Sequence, residues 1–74
     1  MTVLELRITW LFYGYTLDIG PSYKEIGVQR NGVTYCIISV EGIDFRHKRV
    51  SKLSGVFLDL VEMTREFQDE NYGR

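Results

Sequence analysis

Val50–Phe67, VSKLSGVFLDLVEMTREF, is the stretch around which the chain is organised. At about 100° per residue, Val50, Leu53, Phe57, Leu60, Val61, Thr64 and Phe67 fall in one sector, widened by Val56 and Met63. Asp59, Glu62, Glu66, Asp69 and Glu70 fall opposite them. This is the pattern of a single amphipathic helix, about 50–69, with an apolar stripe for a core and an acidic stripe for solvent.

Everything before that helix reads as sheet. Leu4, Leu6, Ile8, Trp10 and Phe12 alternate with Glu5, Arg7 and Thr9, which predicts a strand over about 3–13. After Gly14 the apolar parity moves to Tyr15, Leu17 and Ile19, predicting a second strand at 15–19 beyond a bulge or turn. One straight strand across both would run roughly 55 Å, too long for a small domain. Gly20, Pro21 and Ser22 then form a loop. Asn31-Gly32, between apolar runs at 25–30 and 33–41, predicts a type I′ hairpin, because both residues accept positive φ. An ideal two-residue turn would set Arg30 opposite Val33, Val28 opposite Tyr35 and Ile26 opposite Ile37. Gly27, Gln29, Thr34, Cys36, Ile38 and Val40 would then share the other face. Since Tyr35 to Val40 is apolar on both faces and one helix covers one, a curled sheet, a second copy or a partner is expected on the remaining face.

Glu41-Gly42 and Asp44 are expected to end that strand. Asp44, Ser51 and Ser54 are candidate caps for the helix. A start at Asp44 would put Arg46, Lys48 and Arg49 against the positive end of the macrodipole, which favours a later start. The fold class expected is α+β, a two-layer domain of residues 1–74. It has an antiparallel sheet of three to four strands and one C-terminal amphipathic helix on one face.

Seventy-four residues support one small core, worth roughly 3 to 5 kcal/mol, so association is an expected source of further stability. Cys36 is the single cysteine and His47 the single histidine, too few for a disulfide or a Cys/His zinc site. No metal or cofactor is expected. A hydrophobic fraction of 45% argues for a folded globule, and a net charge of -1 gives no general attraction to nucleic acid or anionic membrane. Glu5 and Arg7 interrupt the N-terminal apolar run, so neither a leader peptide nor a membrane span is expected, and the compartment expected is the cytoplasm.

No catalytic motif is identifiable. Cys36 lies in an apolar strand, where a thiol is inert packing, and the glycines form no phosphate loop. The function expected is a non-catalytic protein-interaction module, an inhibitor or adaptor able to dimerise. Its candidate interface is Leu11, Tyr13, Tyr15, Asp59, Glu62, Glu66, Asp69 and Glu70. The first three belong to an aromatic run that alternation turns partly outward, and the carboxylates select a basic partner by complementary potential. By analogy of size and charge alone, such an inhibitor suits a phage or mobile element. The alternative is a nucleic-acid-binding domain in which Arg46, Lys48, Arg49 and Lys52 neutralise phosphates and exposed tyrosines stack on bases.

Overall fold

A computed structural model describes residues 1–47 and 55–72. The elements run α1 Val3–Phe12, β1 Thr16–Ile19, β2 Glu25–Arg30, β3 Val33–Ser39, β4 Gly42–Phe45 and α2 Gly55–Asn71. The four strands form an antiparallel meander in the order β1-β2-β3-β4. Buried residues of α1 (Leu6, Trp10), of α2 (Phe57, Leu60, Val61, Phe67) and of the sheet (Leu17, Ile26, Val28, Cys36, Ile38) form one core, an α+β domain with its C-terminal helix packed as expected.

The N-terminal segment departs from the sequence reading: 3–12 is a helix, not a strand. Its start is a capping box. Glu5 N–H donates to Thr2 Oγ1 at 3.1 Å and Thr2 N–H donates to Glu5 Oε1 at 2.9 Å, satisfying two donors that a helix otherwise leaves bare. Its end is a Schellman motif: Tyr15 N–H donates to Trp10 O, Gly14 N–H donates to Leu11 O, and Gly14 takes φ +89°. Gly14 is therefore a helix terminator, and the parity change after it marks a change of element. The alternating pattern misled because α1 is apolar on two sides, and the same residues serve a period of two or a pair of helical stripes.

The Asn31-Gly32 turn is as expected, with φ of 52° and 77°. Register is not. Arg30 pairs with Val33 and Gln29 with Thr34, but Val28 pairs with Cys36, so a bulge leaves Tyr35 without an opposite number. Beyond it Gly27 meets Ile37 and Ile26 meets Ile38, which sets Ile26, Val28, Cys36 and Ile38 together in the core. One extra residue reverses the facing of all that follow. The opposite sheet face carries the row Asp18, Gly27, Ile37 and Asp44 and the row Thr16, Gln29 and Thr34. It is a polar surface with Ile37 half-buried, and the apolar face lies on the helical side, where Val33 and Phe45 stay exposed.

β3 also does not end the sheet. Ser39 Oγ receives Glu41 N–H at 3.3 Å and donates to Gly42 O at 3.1 Å, turning the chain back into β4. Asp44 sits in β4 opposite Ile37 and is no helix cap. The alternative caps Ser51 and Ser54, and the helical positions Val50 and Leu53, lie outside the described residues.

α2 is clamped at its C-terminal end by Gln68, which is 1% exposed. Its Nε2 lies 2.9 Å from Ile38 O, 3.0 Å from Tyr23 O and 3.3 Å from Lys24 O, tying the helix to β3 and to the loop before β2. Tyr23 holds a left-handed φ of 60°, and its ring packs edge-on to Phe67 at 5.3 Å.

Candidate protein interface on the helical layer

Trp10 is the hinge of the helical layer. Fully buried, it meets Tyr15 edge-on at 5.6 Å and Phe57 at 5.3 Å, and its Nε1–H donates to Thr64 Oγ1 at 2.8 Å. Thr64 in turn donates to Leu60 O at 2.8 Å. The indole N–H and the hydroxyl are both satisfied without water, so α1 and α2 are locked side by side over one sheet face.

Because Leu6 and Trp10 point to the core, the opposite side of α1 points away from the sheet. It carries Leu4, 63% exposed, Ile8, 57%, Leu11, 61%, and Phe12, 83%. Their spacing of four, three and one residues places them in one sector roughly 100° wide. Tyr13 borders the sector and meets Phe12 edge-on at 5.1 Å. Beside Leu11 a hollow of about 190 Å³ opens between α1 and β1, lined by Arg7, Leu11, Tyr15, Thr16 and Leu17. Arg7 Nη1–H donates to Leu17 O at 3.0 Å, so a carbonyl of edge strand β1 is taken within the chain.

The outward side of α2 carries Asp59, Glu62, Glu66, Asp69 and Glu70, all exposed. Trp10 and Thr64 join both helices over the same core, so the apolar stripe of α1 and the acidic stripe of α2 both lie on sides turned away from the sheet.

Of the residues expected at an interface, Leu11, Tyr13 and the five carboxylates are on this surface. Tyr15 is not: it is buried, its ring held under the Arg30 guanidinium at 3.9 Å and edge-on to Tyr35 at 5.6 Å. It is the residue after the helix-terminating glycine, and the Schellman turn folds it back onto Trp10. Arg30 completes that end of α1 by donating from Nη2 to Tyr13 O at 2.6 Å and from Nε to Gly14 O at 3.3 Å, a cation at the negative pole of the helix. Leu4, Ile8 and Phe12 were missed as surface residues because a strand reading turns them inward. The Thr2-x-x-Glu5 capping box was the signal that would have found them.

Of the basic cluster, Arg46 is exposed and pairs with Asp44 at 2.9 Å, while Lys48, Arg49 and Lys52 lie outside the described residues. His47 stacks on Tyr35 with ring centroids 4.7 Å apart. Tyr23 and Tyr35 are half-buried against the core. Burial pushes the Cys36 thiol up to about 12, so it stays protonated near neutrality and is a poor nucleophile. Donation from the Thr2 backbone N–H, with a further contribution from its hydroxyl, holds the Glu5 carboxyl below its usual value.

Among the described residues no helix is long and apolar enough to cross a membrane. Comparison of the chain with protein-family models, with curated proteins and with solved structures finds no match in any of the three.

Proposed function

We propose that the chain is a non-catalytic protein-interaction module, an adaptor or inhibitor whose contact surface is the outward side of α1. The observation that carries this reading is a ten-residue helix with large apolar side chains on both sides, one side in the core and the other more than half exposed. Small proteins rarely leave so many neighbouring apolar side chains in water without a use for them. The exposed Leu, Ile and Phe are side chains that desolvate readily, and Phe12 and Tyr13 add the aromatic surface enriched at interface centres.

Site-specific photo-crosslinking in the expressing cells tests it. A photo-reactive aromatic residue in place of Ile8 should give a discrete adduct with another protein, and the same residue in place of Asp18, on the polar sheet face, should give none. Equal labelling from both positions, or none from position 8, would remove α1 as the contact.

A further inference from the structure

We infer that the element seated on this surface is a basic amphipathic helix of the partner protein. This rests on the reading of α1 as a protein contact and adds the chemistry of what it contacts. The apolar stripe of α1 from Leu4 to Phe12 is about 12 Å long at the usual helical rise. The line of Asp59, Glu62, Glu66 and Asp69 on α2, at spacings of three, four and three residues, is about 15 Å long and also points away from the sheet.

An occupant that satisfies both is apolar along one stripe and cationic along one flank. A helix with leucine-like residues at i, i+4 and i+7 and Lys or Arg along the adjoining positions has that shape. The hollow beside Leu11 offers one of its apolar side chains a seat away from the acidic side.

Charge selects against the other occupants. Five exposed carboxylates on α2 have Arg65 as the single cation among them, while on α1 exposed Glu5 and Arg7 balance each other, so the net negative charge of this side comes from α2. Anionic lipid and nucleic acid are repelled by that surface. A second copy brings the same excess of carboxylates over cations to the contact.

The test uses the whole chain and a synthetic peptide of about 18 residues, roughly five helical turns, with a leucine stripe flanked by lysines. A second peptide has every lysine replaced by glutamate. Fluorescence anisotropy should show saturable binding of the lysine peptide that weakens as salt rises, and binding of the glutamate peptide at least about tenfold weaker. Ile8→Glu or Leu11→Glu, each checked for an unchanged cooperative melt, should weaken the lysine peptide by more than about tenfold. Glu62→Lys with Glu66→Lys should weaken it and flatten its salt dependence while leaving the melt intact.

Equal affinity for the two peptides, or no binding of the lysine peptide, overturns the inference; an adduct at position 8 would leave α1 as a protein contact. Loss of that adduct instead takes down the contact itself. Sedimentation showing a dimer that Ile8→Glu dissolves assigns the face to a second copy and overturns the proposal. Binding to phosphatidylcholine or phosphatidylglycerol vesicles that Ile8→Glu abolishes assigns the face to lipid and overturns it equally.

Discussion

Trp10 shows how a single side chain sets two helices against each other. The large ring fills the space between Tyr15 and Phe57, and its N–H finds a hydroxyl that is itself satisfied. Thr64→Val keeps the shape but strands the buried indole N–H, and should cost about 1 to 3 kcal/mol in urea denaturation. Trp10→Ala, which also empties the aromatic site, should cost about 3 to 5 kcal/mol or leave the chain unfolded. Cys36 makes a different prediction. Its thiol pKa is raised in the fold, so its contribution to stability is fully present below the unfolded value and declines as pH rises from about 8.5 toward 12. The decline is at most about 1.4 kcal/mol per pH unit for one group. The stability difference between the parent and Cys36→Ala should shrink over that range and be flat below it. A flat difference throughout would mean the thiol is not shielded.

The ends of α1 matter more than its middle. Gly14 holds φ +89°, and a methyl group there would come within 3.1 Å of Arg30 Nη2. Gly14→Ala should therefore cost about 1 to 2 kcal/mol, read as a lower denaturation midpoint with an unchanged slope. Because Arg30 also caps the Tyr13 and Gly14 carbonyls, Arg30→Ala should add to the loss by less than its effect alone, since the two share one site. At this scale the sequence was legible in part. The Asn31-Gly32 turn, β1, β2 and α2 could be read from turn chemistry and apolar period. α1 could not be read from period alone, because Leu4, Leu6, Ile8, Trp10 and Phe12 satisfy both templates. The bulge at Tyr35 left no local signature: Thr34, Tyr35 and Cys36 are ordinary strand residues, and only their packing under the helices selects which one is unpaired.

Across the whole molecule the two sides of α1 should answer differently to substitution. Leu6→Ala removes a fully buried side chain and should cost about 2 to 5 kcal/mol. Ile8→Glu and Leu11→Glu remove none and should leave stability within about 0.5 kcal/mol of the parent. They should also reduce binding of a hydrophobic dye such as ANS to the native protein. Marked destabilisation by Ile8→Glu would place that side chain in a packed environment and not on a surface kept for contact. The two sides of the domain differ in chemistry: the outer sheet face is polar, and the helical side carries the exposed apolar residues of α1 and the carboxylates of α2.

By itself the sequence determined the materials: one α+β domain, an amphipathic C-terminal helix with its carboxylates on one side, a positive-φ hairpin turn and a lone inert thiol. These follow from properties that each segment carries locally, such as period, turn chemistry and charge order. Only the tertiary structure decided that Leu6 and Trp10 are the buried side of 3–12, that a bulge puts Cys36 and Ile38 beside Ile26 and Val28, that Tyr15 is core, and that Leu4, Ile8, Leu11 and Phe12 face outward together. The reason is physical. A two-sided apolar segment has no preferred face until something packs on one of them, and here Trp10, seated between Tyr15 and Phe57 with its N–H on Thr64, makes that choice.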